Sequence, residues 1–319
     1  RAVEDGFACG EITRVAPNDP SAWFLSYGNL EGLPERPTSL VLHSWDEAGW
    51  RYFSKAYAGR RGMTVAGVSQ KVMDRYGQWI DENDHVDGGI LPPPVTEFCM
   101  AKGNYDPQGR IVVGWMGRPL EDKGLMTLPY LLAENPRLVV RAWTGAETAG
   151  LDYTLRVQSE AMEAVMKLAR KLGVMDRFDI RPLDFNALSY RHRLEGCHVL
   201  LGNSRKEGFL LTAAEALSCS IPVVVTKTCG IADFIRNGQN GYLIDWNDNP
   251  RRLAKVAHRA ILKAARLDPV KCLASMDQLS LGSNYARSYR PVLARLTHTG
   301  LQHEEARVTF GVRIHEGVD

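Results

Sequence analysis

The sequence predicts two doubly wound α/β domains facing one another across a cleft, and three observations carry that expectation. Short apolar runs of strand length alternate with helix-length periodic segments. A polar, turn-rich stretch, Lys102-Gly103-Asn104-Tyr105-Asp106-Pro107-Gln108-Gly109, separates two such series and reads as a linker. With 319 residues and 45% hydrophobic content, the chain can bury two cores and exceeds one ordinary domain. The expected division is residues 1–105, residues 106–299 with a closing helix near Tyr285 to Leu296, and a tail at 300–319.

In the first domain, Ser39 to His43 reads as a strand with His43 at its carboxyl end, where parallel sheets place their ligands. A satisfied structural histidine is the competing reading. Residues Asp46 to Arg60 read as a helix whose Tyr52, Phe53, Ala56 and Tyr57 form an apolar stripe. Arg51, Lys55, Arg60 and Arg61 give that segment a cationic side, which suits either solvent or an anionic membrane surface. Met63 to Ser69 is a second strand, and a helix starts near Gln70. Ser69 ends that strand as a weaker site candidate. Trp23, Trp45 and Trp79 can stack on sugar rings, although buried packing is the plainer role for each.

The second domain opens on Ile111 to Gly117, an apolar run ending in glycine. Arg118, a short polar loop, Lys123 and a helix from Leu125 to Ala133 follow, so a strand-loop-helix unit delivers two cations to the mouth of a parallel sheet. Strands are expected at Leu138 to Trp143, Phe178 to Leu183 and Val199 to Gly202, with a helix from about Thr154 to Leu172. Thr212 followed by Glu215 is a capping-box pattern, which predicts a helix beginning at Thr212 with its positive end facing the preceding loop. Such an end suits a diphosphate. Glu207, ahead of that loop, can accept hydrogen bonds from sugar hydroxyls, and Glu215, one turn in, can reach a ribose. For each acid the plain alternative is a solvated loop carboxylate or a cap. Ile221 to Thr226 is a buried strand after a proline break, and the tail alternates Val308, Phe310, Val312 and Ile314 as a strand does.

The block Glu207 to Ile235, together with Gly117-Arg118 and Lys123-Gly124, resembles the donor-site core of retaining glycosyltransferases of family 4, which have the two-domain GT-B fold of Rossmann-like domains. The resemblance implies a hexosyl transfer from a nucleoside diphosphate sugar to an acceptor hydroxyl. It assigns Arg118 and Lys123 to the departing diphosphate, Glu207 to the sugar and Glu215 to the ribose. His43 faces the sugar, and Gly117, Gly208, Phe209, Leu210, Leu211, Thr212 and Gly230 line the donor. Gly89 to Val95 resembles the end of the family's first domain, and Asn240 to Ile244 the strand after the donor turn. The family has glycine where this chain has Leu210, Ser220 and Cys229, so the Leu210 and Cys229 side chains are expected to intrude on the donor. About forty residues precede the His43 strand. That is short of the family's opening units, so an incomplete first domain is expected. The tail strand is expected to pair into that domain's sheet, in this chain or a neighbour, or to begin a second unit of a longer polyprotein, with a plain edge strand as the alternative.

Composition excludes other classes. A formal charge of +2 gives no nucleic-acid signal. Six cysteines without a Cys-x-x-Cys pair fit reduced thiols in a cytoplasm. No run approaches the ~18 to 20 apolar residues of a membrane span, which leaves only peripheral membrane contact. Neither Gly-x-Gly-x-x-Gly nor a phosphate-binding Gly-Lys-Ser/Thr loop occurs, and without an Asp-x-Asp motif no metal or resident cofactor is expected. A non-catalytic nucleotide-sugar-binding subunit and a sugar-nucleotide epimerase of the same architecture are the alternatives.

Overall fold

The computed structural model describes residues 23–26, 38–42, 64–93, 95, 99–144, 152–181, 193–279 and 308–309. The chain forms two compact units, Arg1–Pro94 with Gln278–Asp319, and Val95–Asp277. The division thus falls ahead of the polar stretch read as a linker. The reason is hydrogen bonding: the N–H groups of Cys99, Ala101 and Gly103 donate to the carbonyls of Ser218, Cys219 and Cys197, which ties that segment to the second unit.

The first unit holds parallel strands β1 (Trp23–Ser26), β2 (Thr38–Leu42), β3 (Thr64–Gly67) and β4 (Val86–Ile90), adjacent in that order. β1 is not legible in the sequence, since four residues carry no readable alternation. Helix α1 (Gln70–Glu82) joins β3 to β4 and buries Val72, Met73, Tyr76, Trp79 and Ile80, a stripe at helical spacing. Ser69 is its N-cap, accepting from the Val72 N–H at 3.4 Å, so this serine has a capping role. Trp79 is buried against His85, ring centroids 4.7 Å apart. His43, the expected helix from Asp46 to Arg60 and the expected closing helix lie outside the described residues.

The second unit carries six parallel strands: β5 (Ile111–Met116), β6 (Leu138–Trp143), β7 (Phe178–Arg181), β8 (Val199–Gly202), β9 (Val223–Thr226) and β10 (Gly241–Ile244). Their spatial order is β10-β9-β8-β5-β6-β7. The chain winds outward from β5 through β6 to β7, then crosses back and winds the other way from β8. In open α/β sheets ligands bind outside the carboxyl ends of the strands where the winding reverses. Here that place lies between the loops that follow β5 and β8.

Helices α2 (Thr127–Glu134), α3 (Asp152–Lys171), α4 (Leu211–Ser218), α5 (Pro250–Ala264) and α6 (Pro269–Ala274) complete the unit. Leu253, Ala254, Ala257, Ala260, Ile261 and Ala264 form the buried face of α5, and its four alanines let it pack closely against α2. Leu128, Leu131 and Leu132 of α2 and Ile111, Val113 and Trp115 of β5 join the same core. Burying each large apolar side chain contributes roughly 1.5–3 kcal/mol before ordering costs. The last strand, β11 (Val308–Thr309), pairs parallel with β1 in the first unit's sheet, Trp23 opposite Val308. The alternation in the tail therefore does mark a strand, over two residues.

His198 links β8 to its surroundings in a protonation-sensitive way. Its Nδ1 accepts the Val112 N–H at 3.0 Å, which leaves Nε2 to donate to the Asn104 carbonyl at 3.0 Å, so both bonds need the neutral ring. Burial holds its pKa below the ordinary 6.5, and burial does the same to His85 and His258. As the pH falls below 6.5, the unfolded chain takes up these protons first. This contribution to stability is therefore present above 6.5 and is lost as the pH drops through the folded values. Thermal melts from pH 8 to 5 should show falling midpoints, with a shallower fall in His198→Gln; an equal slope in the variant would remove His198 from the account.

Candidate functional site

β5 and β8 are neighbours, and the loops leaving their carboxyl ends are locked together by four contacts. The Trp115 Nε1–H donates to Asn203 Oδ1 at 3.0 Å, and Asn203 Nδ2 donates to the Gly124 carbonyl at 2.8 Å. The Arg205 N–H donates to the Asp122 carbonyl at 2.6 Å. Lys123 Nζ lies 2.6 Å from Glu207 Oε1, at the outer end of the series. Asn203 and Trp115 are buried, so the amide side chain is committed to a fixed position. Lys123 ends a short 3-10 turn, Glu121–Lys123, and Gly124 reverses the chain at φ 71°. A Cβ on Gly124 would overlap the Asn203 carbonyl oxygen, so glycine is required twice over.

Glu207 is held by more than the lysine. Ser204 Oγ donates to the same Oε1 at 3.2 Å. Among the described residues Oε2 has no protein donor, which leaves an acceptor available to a ligand hydroxyl. The Lys123 side chain is 12% exposed and that of Glu207 24%, so the pair is partly shielded from solvent. Asp122 adds a second carboxylate 3.7 Å from Lys123 Nζ. Arg118 is exposed and makes no ion pair with the described residues. It is the more readily recruited of the two cations.

The loop after Glu207 is strapped to the turn after β9. Gly230 N–H donates to the Glu207 carbonyl at 3.1 Å, and Ile231 N–H to the Phe209 carbonyl at 2.7 Å. Phe209 meets Phe234 edge-on, centroids 5.8 Å apart. Two sequence segments read as donor loops are thereby one structure. α4 begins at Leu211 with Leu210 as its N-cap and no side-chain cap, which corrects the capping-box reading: Thr212 lies inside the first turn and Glu215, 6% exposed, is buried in the helix.

At the three positions where glycine is expected, the backbone and packing explain what stands there instead. Leu210 takes φ 74° and Ser220 φ 67°, both left-handed, so glycine would be the unstrained residue at each. Leu210 nevertheless turns its side chain inward: it is 8% exposed, and a Cβ on Gly202 would overlap its Cδ2. Cys229 has an ordinary φ of −86° and is fully buried, with Sγ 3.2 Å from Thr226 Oγ1. The expected intrusion of Leu210 and Cys229 on the donor is thus replaced by packing beneath the loops. Ser220 Oγ donates to the Cys99 carbonyl at 2.5 Å, a tie that offsets part of its backbone cost. Gly202→Ala should cost about 1–3 kcal/mol by overpacking, and Leu210→Gly in that background should restore part of the loss. Additive denaturation energies in the double variant would show that the two side chains do not compete for one space.

The structure therefore gathers Gly117, Arg118, Lys123, Glu207, Gly208, Phe209, Leu210, Leu211, Thr212, Glu215 and Gly230 on the loops and helix at the carboxyl edge of one sheet. His43 lies outside the described residues. Sequence reasoning missed the positioning roles of Asn203, Trp115 and Ser204, because each depends on a contact made only in the folded chain. Among the described residues no three His, Cys, Asp or Glu side chains group closely enough to share a metal ion, and no helix is long and apolar enough to cross a membrane.

Residues 181–268, which include the Glu207 loop and α4, match the model of glycosyl transferases group 1. D-inositol 3-phosphate glycosyltransferase 2 of Catenulispora acidiphila is 30% identical over 183 residues, covering 50% of this chain and 40% of that protein. Sucrose synthase of Melioribacter roseus is 28% identical over 42% of this chain and 19% of its own length. The chain thus spans 40% or less of the length of these two curated relatives. Anabaena Alr3699/HepE in complex with UDP and glucose superposes with a TM-score of 0.64 at 17% identity, covering 85% of this chain and 78% of that one. A UDP-forming trehalose-phosphate synthase from Burkholderia xenovorans gives 0.65 at 13% identity, covering 89% and 75%. The fold is that of GT-B proteins, with a parallel α/β sheet in each unit, and residues 181–268 are similar to glycosyl transferases group 1.

Proposed function

We propose that this chain moves a hexose from a nucleoside diphosphate sugar to an acceptor hydroxyl, with retention of anomeric configuration and without a metal ion. The observation that carries the reading is the Lys123–Glu207 pair, fixed at 2.6 Å where the sheet reverses its winding. Lys123, Arg118 and the amino end of α4 supply positive charge to the diphosphate, the place where negative charge grows as the sugar leaves. Glu207 Oε2 accepts hydrogen bonds from sugar hydroxyls, Glu215 serves the ribose, and the family resemblance assigns His43 to the sugar.

The step balances within the substrates. The bond from the anomeric carbon to the phosphate oxygen breaks with its electron pair on that oxygen. The acceptor oxygen bonds to the carbon on the same face, and its proton passes to the departing phosphate oxygen. UDP and glucose, named for the Anabaena structure, make UDP-glucose the first donor to try. Proton NMR of the chain incubated with α-linked UDP-glucose should show UDP released together with the α-anomer of the transferred or hydrolysed sugar. First appearance of the β-anomer would overturn retention, and absence of UDP release would overturn the activity.

A further inference from the structure

A cavity of about 590 Å³ lies beside the clamped loops, between the start of α2 and the segment before α5. That volume falls within the ~300–1,000 Å³ of ordinary small-molecule sites. Lys123, Glu207 and the 208–212 loop do not line it, so it is a separate space from the donor site. Its polar lining is mainly acceptor in character. Glu121, Asp122 and Asp248 contribute three carboxylates against the single guanidinium of Arg205, which is already 3.5 Å from Asp248. A phosphate or nucleotide would meet net negative charge here. Trp246 is held by its Nε1–H, which donates to Asp248 Oδ1 at 3.0 Å, and Met126 and Leu120 extend the apolar part of the wall.

We propose that this cavity is a binding site for a neutral oligosaccharide. Clustered carboxylates and the Asn247 amide suit a ligand that donates many hydrogen bonds, as sugar hydroxyls do. An indole beside aliphatic side chains suits the C–H face of a sugar ring. The space exceeds what a single ring fills, so the ligand is a short chain of rings. Asp122 and Arg205 line the cavity and also join the two donor loops through the Arg205 N–H to Asp122 carbonyl bond of 2.6 Å. A sugar held there touches Asp122, whose carboxylate is 3.7 Å from Lys123 Nζ.

The test is direct binding, so it does not depend on the transferase reading. Saturation-transfer NMR is run on the full chain with maltotriose, cellotriose and chitotriose, and with spermidine and inorganic phosphate as controls. At least one trisaccharide should bind, and Trp246→Ala and Asp248→Asn should each weaken it about tenfold or more. Asp248 has a largely exposed side chain, so its variant reads binding even where Trp246→Ala disturbs folding. Lys123→Ala should leave trisaccharide binding intact, which separates this site from a failed donor site. No binding by any trisaccharide, binding unchanged in both cavity variants, or binding of spermidine alone would overturn the proposal.

Discussion

Lys123→Ala should lower nucleotide-sugar turnover about 10²- to 10³-fold, the cost of removing one preorganised charge donor from a group that gains charge in the transition state. The lysine is preorganised by three separate features: the 3-10 turn it terminates, the Gly124 reversal behind it and the Glu207 carboxylate 2.6 Å away. Its loss should act mainly on kcat, because the diphosphate is more negative when leaving than when bound. The core β5–α2 packing does not use its side chain, so the variant should keep a cooperative melt. Steady-state kinetics beside a thermal melt checks both halves. A wild-type rate in a folded variant would remove Lys123 from the reaction.

Gly124→Ala should be the most damaging single substitution in the loops, costing about 2–6 kcal/mol. A left-handed backbone with a side chain costs of order 1–3 kcal/mol, and overpacking adds about 1–3. The atom in the way is a backbone carbonyl, on Asn203, and it cannot rotate aside. Relief would need the β5 and β8 loops to part, which breaks the Asn203 bond to the Gly124 carbonyl and displaces Lys123. Stability and turnover should therefore fall together, unlike in Lys123→Ala. Gly124→Asn separates the causes, because asparagine tolerates the left-handed region yet still carries a Cβ. Denaturant unfolding should show a smaller loss for Gly124→Asn than for Gly124→Ala, with the overlap cost of about 1–3 kcal/mol still present; a near-wild-type Asn variant would assign the whole cost to backbone strain and none to overlap.

Much of the second unit is legible because its strands are apolar runs bounded by turn formers. Val223 to Thr226 is buried at every position, as a central parallel strand requires. The placement of Arg118, Lys123 and Glu207 on loops leaving strand ends is legible too, whereas Glu215 lies inside α4 and is buried. The helix start after Phe209 is not legible. Thr212-x-x-Glu215 has the form of a cap, but Leu210 in the left-handed region starts the helix one residue early, and Gly202 beneath it supplies the space for its side chain. Helices α5 and α6 carry Asn249-Pro250 and Asp268-Pro269, an Asx cap followed by proline at the first helical position, a signal that motif matching passes over. The clamp is invisible locally, because Trp115 and Asn203 meet across 88 residues of chain.

The most direct test of the central claim, that the Lys123–Glu207 loops form a diphosphate-sugar site, is calorimetric titration of the chain with UDP, GDP and ADP in EDTA, repeated with Lys123→Ala. One nucleoside diphosphate should bind without metal, and the variant should bind it about tenfold or more weakly. No binding by any of the three, or affinity unchanged in the variant, would contradict the assignment of these loops to the donor.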